Sequence, residues 1–257
     1  MTYEHITLIE EQGVATLTLS RAKVLNALSA ELMKEVIDAV DRVRDAGTAR
    51  VLMMTGAGRA FSSGADLTGA MGSDAGAALE AYYNPLLERL FALAIPFVTA
   101  VNGPAVGAGC SIALAGDIVI AARSAYFLQA FVNLGLVPDA GSTWMLPRLI
   151  GRARSQAMMM LGERISAEQA EQWGMIYKTV DDSALSTVTR GLAAKLAAGP
   201  TRAYGLIRHG IQAALEQSLT ETLCLERHHQ LHAGRTEDFA EGVAAFKEKR
   251  SAAFKGK

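Results

Sequence analysis

The sequence predicts an α/β fold: a core of buried strands alternating with loops and helices, followed by an appended helical module. Three observations carry this. Short apolar runs at residues 51–55, 97–101 and 118–121 suit strands buried on both faces. Helical or glycine-rich stretches separate them, as in βαβ units. After the Gly199-Pro200 pair strands cease, and the helices become amphipathic and more charged. The 257 residues allow one large domain or a domain with an appendage, and half are hydrophobic, so a sizeable core can be buried. The expected division is a core over 1–198 and a helical module over 199–257.

The elements follow in order. Residues 6–10 and 14–19 read as strands joined by the turn Glu11-Gln-Gly13. Ser29 is a plausible N-cap for a helix that keeps Leu32, Val36, Val40 and Val43 on one face and ends at Gly47. The strand at 51–55 leads into a glycine-rich loop over 56–66. A helical stretch covers about 75–94. The strand at 97–101 leads into a Gly/Ala turn over 103–109, a helix over 110–115 and the strand at 118–121. From Gly151 onward the periodicity predicts helices near 153–161, 166–173, 184–198, 202–216, 219–232 and 236–248, with a short strand near 177–180.

A formal net charge of −1 argues against a general nucleic-acid binder. A local basic pocket for a phosphorylated ligand remains compatible with it. Cys110 and Cys224 show no CxxC or zinc spacing; each reads as a small buried hydrophobe, which fits a reducing cytoplasm. The first residues lack the basic and apolar regions of a signal peptide, and no apolar run is long enough to cross a bilayer. A cytoplasmic protein without membrane or nucleic-acid partners is expected.

One carboxylate stands out. Asp139 lies in Leu134-Gly-Leu-Val-Pro-Asp-Ala-Gly141, with no other formally charged residue between Ser124 and Pro147. Burying it there is costly as a charge and would raise its pKa, which suits an acid/base near neutral pH. The same Asp could simply shape the turn. Two glycine loops, each after a buried strand, give it something to act on: Ser62-Ser-Gly-Ala-Asp66 and Gly103-Pro-Ala-Val-Gly-Ala-Gly-Cys110. Small residues admit a ligand close to the backbone, and free N–H groups can hold a developing oxyanion. There is no G-x-G-x-x-G and no P-loop, and no metal site is expected. His228, His229 and His232 read as a solvated face, Met158 to Met160 as core filler, and Asp66 and Asp117 as caps of local backbone; Tyr82 and Tyr83 read as helix packing, with a place facing the acyl pocket as the alternative.

These segments, with Arg21-Ala-Lys-Val-Leu-Asn-Ala-Leu28, Gly116-Asp-Ile-Val-Ile-Ala121 and Ile165-Ser-Ala-Glu-Gln-Ala170, occur together in family order, and the chain resembles the crotonase (enoyl-CoA hydratase/isomerase) superfamily. The resemblance implies a spiral of ββα units and an acyl-CoA substrate. Coenzyme A would enter as part of that substrate, with no separate cofactor and no metal. It implies an oxyanion hole from the N–H groups of Ala65 and Ala108, with Gly109 beside it. Arg21, Ala22, Lys23, Val24, Ala65 and Leu67 would line the coenzyme A tunnel, and Asp66, Phe131 and Trp144 join them as substrate-binding residues. It also implies a homotrimer or dimer of trimers built through the C-terminal helices, and a basic tail over 247–257 near the coenzyme A phosphates.

Two departures narrow the chemistry. Where hydratases of the family carry two glutamates, this chain has Ser111 and Phe131. Asp139 falls where some family isomerases carry their single acid/base. The Pro-Asp-Ala-Gly variant most resembles the isomerases of aerobic phenylacetate breakdown, which convert a ring-epoxidised phenylacetyl-CoA to an oxepin. The alternatives are a hydratase with a non-standard acid/base pair, an aryl-CoA dehalogenase and a non-catalytic coenzyme A-thioester binder. The dehalogenase would need a His in the helix over 75–94 and a Trp at position 131; the chain has neither.

Overall fold

The computed structural model describes residues 3–68, 74 and 76–257. The strands are β1 (Ile6–Glu11), β2 (Val14–Leu19), β3 (Val51–Gly56), β4 (Phe97–Val101), β5 (Ala105–Val106), β6 (Ile118–Ala122), β7 (Tyr126–Leu128), β8 (Ile165–Ser166) and β9 (Lys178–Val180). The α-helices are α1 (Ala30–Ala46), α2 (Asn84–Ala92), α3 (Ala108–Leu114), α4 (Ser142–Leu161), α5 (Ala167–Gln172), α6 (Leu185–Ala197), α7 (Thr201–Ala214), α8 (Leu219–Ala233) and α9 (Glu237–Glu248).

A six-stranded sheet runs β1-β2-β3-β4-β6-β9, antiparallel only between β1 and β2. Gln12 and Gly13 both take positive φ, the conformation that a tight hairpin turn demands. Along β3, Leu52 and Met54 enter one apolar cluster and Val51 and Met53 another, so the strand is buried on both faces as its unbroken apolar run implied. Helix α1 begins and ends as expected: the Ser29 hydroxyl accepts from Leu32 N, and Gly47 caps in the left-handed region.

A second sheet, β5-β7-β8, was not foreseen. Its strands have two or three residues, too few to display a period. It anchors the second glycine loop, because β5 pairs in parallel with β7 and Ser62 bridges to Ala105.

Other differences are local. Helix α4 starts at Ser142, well before the expected 153, and carries Pro147 inside it. Gly151 is non-helical (φ 76°, ψ 163°), so two helical pieces meet at a kink, and these two residues hid the first piece from the sequence. Helix α3 opens at Ala108, two residues earlier than expected. In the helical stretch expected over 75–94, residue 75 lies outside the described residues, and Leu79–Tyr83 form a π-helical turn before α2. Two core expectations fail by helix rotation: Met160 is 67% exposed although Met158 is buried, and Cys224 is exposed while Cys110 is buried.

The C-terminal helices fold back on the core. Arg208 Nε of α7 donates to Asp117 Oδ2 at 2.6 Å, and its other nitrogens donate to Leu90 O and Leu93 O. The carboxylate of Asp117 also accepts from Phe97 N at 2.7 Å, so one residue closes the start of β4 and anchors α7. Among the described residues no helix is long and apolar enough to cross a membrane.

Candidate active site

The two glycine loops are built against each other. A Cβ on Gly109 would lie 2.7 Å from Ser62 Cβ and 2.9 Å from Ser62 O; one on Gly64 would lie 2.7 Å from Val106 O. Only glycine permits this approach. Val106 N donates to Ser62 O, and Phe61 N and Ser62 N donate to Pro104 O, which locks the loops side by side.

Ala65 sits in a parallel bridge with Leu28, in which Leu28 N donates to Gly64 O and Asp66 N donates to Leu28 O. That pairing uses the groups on either side of Ala65 and leaves its own N–H directed away. At the second loop, Gly107 caps α3, and Ala108 and Gly109 open its first turn, where N–H groups have no partner within the helix. Each of these two N–H groups thus belongs to one of the two interlocked loops, at their junction. Phe131 is buried over it, with Cζ 3.7 Å from the point where a Cβ on Gly107 would lie.

Asp139 stands one helical turn away. Its carbonyl accepts from Ser142 N (3.0 Å), Ser142 Oγ (2.8 Å) and Ser111 Oγ (3.2 Å). Ala140 then takes φ 47° and Gly141 φ 74°, and α4 begins. This tight reversal turns the carboxyl inward. Its Oδ1 is sealed from solvent with no hydrogen-bond partner among the described residues. Burial alone pushes the carboxyl up to about 6. The seal does not come from the flanking apolar run, because Leu134, Leu136 and Val137 are exposed. It comes from tertiary neighbours.

A second carboxylate lies nearby with the opposite character. Asp66 Oδ1 accepts from Thr68 N (3.1 Å) and Thr68 Oγ1 (2.6 Å), and its Oδ2 accepts from Arg21 Nη1 at 2.8 Å. Thr68 first and Arg21 second hold it down at about 2. The cap expected of Asp66 is present, with an ion pair added. Ser63 N donates to Leu25 O, so the exposed turn Ala22–Val24 is carried beside the 62–67 loop. The structure therefore brings Arg21, Ala22, Lys23, Val24, Ala65, Asp66 and the half-exposed Leu67 together.

For Tyr83 helix packing is the expectation and the acyl pocket the alternative. The ring is buried, and desolvation with the charges of Asp139 and Asp66 holds its phenol well above the usual tyrosine range. The phenol therefore lies near enough to both carboxylates to feel their charge. Its neighbour Tyr82 turns instead toward Lys34, whose ammonium lies 5.9 Å from that ring. The π-helical turn rotates the two tyrosines away from the face an α-helix would give them, which no 3.6-residue periodicity can anticipate.

Trp144 packs edge-on to Phe91 (5.6 Å) beneath Arg148 (4.2 Å), lining a cavity of about 390 Å³ beside Asp117 and Arg208. Its expected substrate contact rested on nearness in sequence and gains no support from these surroundings. Cys110 is fully buried, and desolvation pushes its thiol up to about 12, which makes it inert. His229 is half-buried and hydrogen-bonds His209 across α7 and α8 at 3.0 Å, while His228 and His232 are exposed. The tail folds onto α9, with Lys255 N and Gly256 N donating to Asp238.

A spiral α/β core, two interlocked glycine loops and an inward carboxylate define the enoyl-CoA hydratase/isomerase class. The chain belongs to this family, whose pattern matches residues 9–257, and it is an enzyme of the crotonase type. It is 48% identical to a 1,2-epoxyphenylacetyl-CoA isomerase of Escherichia coli K12, over 96% of this chain and 97% of that protein. It is 43% identical, over the full length of both, to a Rhodobacter capsulatus protein described as a probable enoyl-CoA hydratase. The crystal structure of an enoyl-CoA hydratase from Bacillus anthracis superposes with a TM-score of 0.93 at 31% identity, covering 99% of this chain and 100% of that one.

Proposed function

We propose that this enzyme is an acyl-CoA isomerase in which Asp139 is the sole acid/base and the N–H groups of Ala65 and Ala108 hold the thioester oxygen. One observation carries the reading: Asp139 is a half-buried carboxyl with one sealed oxygen that has no partner among the described residues and a pKa raised to about 6, and its carbonyl is tied to the helix that Ala108 opens. For a 3-enoyl thioester, the carboxylate takes a proton from C2, and the C2–H electron pair moves into the thioester as an enolate. The dienolate then collapses, the double bond shifts to C2=C3, and the same carboxyl returns the proton to C4. Ser111 and Phe131 stand where the family's hydratases carry glutamates, so the pocket has neither usual group for activating water, and Phe131 dries it.

The similarity to the epoxyphenylacetyl-CoA isomerase supports a ring-epoxidised phenylacetyl-CoA as substrate, and a single carboxylate suits that rearrangement also. The decisive experiment is Asp139→Asn, tested on a 3-enoyl-CoA and on an epoxidised phenylacetyl-CoA, with binding of the thioester measured in parallel. Abolished turnover with binding intact is expected; wild-type kcat would sink the reading. Hydration is the second reading. The similarity to the Rhodobacter protein and the nearness of the Tyr83 phenol to the charge of Asp139 favour it. Rapid loss of the conjugated absorbance of a 2-enoyl-CoA would establish it.

No further cofactor is part of this proposal; coenzyme A enters with the substrate. The division at 198/199 and a homotrimer or dimer of trimers belong to it too. Exposed Ile207, Ile211 and Leu215 on α7 and exposed Phe239 and Phe246 on α9 support assembly through the C-terminal helices. Light scattering on the purified protein tests it, and a monomer would refute it.

A further inference from the structure

We propose that Ser111 is a positioning residue, tying the oxyanion end of α3 to the turn that aims Asp139. This deepens the isomerase reading and rests on it. The hydroxyl is completely buried, and a buried hydroxyl has to find an acceptor. Two are in reach: Asp139 O at 3.2 Å, across 28 residues, and Gly107 O at 3.4 Å, within its own helix. Ser111 N also donates to Gly107 O at 3.1 Å, so the backbone already satisfies that carbonyl and the hydroxyl is available to Asp139. Ser111 lies one turn after Ala108, whose N–H is an oxyanion donor. The bond therefore links the element that holds the thioester oxygen to the residue that moves the proton.

The far end of the tie needs holding. Ala140 adopts φ 47°, a left-handed conformation unfavourable for a residue with a Cβ, and Asp139 precedes it directly. Relaxation of that strain would swing the carboxyl outward. Ser142 restrains it from within the turn through its N–H and hydroxyl; among the described residues, Ser111 is the one that hydrogen-bonds it from another element. The position that serves catalysis directly as a glutamate in hydratases serves alignment here.

The test is Ser111→Ala in the intact protein. The carbonyl of Asp139 keeps both donors of Ser142, and Ala suits a helix, so the fold is retained; circular dichroism checks this. The expected result is a fall in kcat of about tenfold or more with KM within about twofold, because misplacement affects the chemical step rather than binding. The acid limb of the pH–rate profile should also move down by about half a unit or more as the carboxyl gains water. The titratable group that senses the charge of Asp139 is Tyr83, and the variant leaves it in place. A kcat within twofold of wild type, or a loss of kcat with the acid limb unmoved, overturns the proposal. Ser142→Ala, which keeps its N–H bond to Asp139 O, should cost less than Ser111→Ala; an equal or larger loss also counts against the tie. If Asp139→Asn retains activity, the isomerase reading itself has failed. If that variant is inactive and Ser111→Ala is unaffected, only the tie has failed.

Discussion

The 62–68 loop and the 134–142 loop each present one aspartate near Tyr83, and the two carboxylates are opposites. Asp66 is surrounded by donors from Thr68 and Arg21 and sits at about 2. Asp139 has a sealed oxygen with no donor and sits at about 6. The residue type is the same, so the environment alone separates a permanently charged structural group from one that can exchange protons near neutral pH. Acid/base assignment in this pocket follows from the absence of donors, not from the presence of a carboxylate.

The largest test of that contrast is Asp139→Asn, expected to lower kcat by about three orders of magnitude with coenzyme A-thioester affinity nearly unchanged. In the wild type, kcat/KM should fall about tenfold per pH unit below about 6, where the carboxyl takes up its proton. A profile flat down to pH 4 would place the working base elsewhere.

The same substitution should stabilise the protein. The folded pKa of Asp139 is above its unfolded value near 4. The folded state therefore binds more protons between about pH 4 and 6, and stability falls as pH rises through that window. Above it the buried charge costs about 1 to 2 kcal/mol, allowing for the part of the side chain that meets water. Denaturation at pH 8 should show Asp139→Asn more stable by that amount, and at pH 4 nearly equal to wild type. An identical difference at both pH values would break the comparison.

Tyr83→Phe sharpens it from the middle. Removing the hydroxyl near the two carboxylates should lower kcat about fivefold, as the polarity around Asp139 changes. An unchanged kcat would return Tyr83 to packing alone. The smallest effect belongs to Asp66→Asn: kcat within about threefold of wild type, with a modest rise in KM as Arg21 loses its partner. A loss matching that of Asp139→Asn would show that both carboxylates share the chemistry.

Much of this was legible in the chain. The apolar run at Val51–Gly56 required a strand buried on both faces, and Ser29 with Gly47 fixed the ends of α1. The two glycine loops were visible because a close backbone approach excludes every side chain, and Asp139 because a charge in an apolar stretch needs a reason. The reason itself was misplaced: the stretch around Asp139 is exposed, and its carboxyl is sealed by residues distant in sequence.

What the sequence by itself determined was the set of local commitments: element types, glycine positions and the missing hydratase glutamates. The first two follow from backbone sterics and periodicity within a few residues, and the third from the family resemblance. Only the tertiary structure decided which side chains meet. The π-helical turn buried Tyr83 within the field of two carboxylates, and helix α3 brought Ser111 to a carbonyl 28 residues away. It also decided that Asp66 would be given donors and Asp139 denied them. Burial and hydrogen-bond satisfaction are properties of the closed fold, and a pKa follows from both.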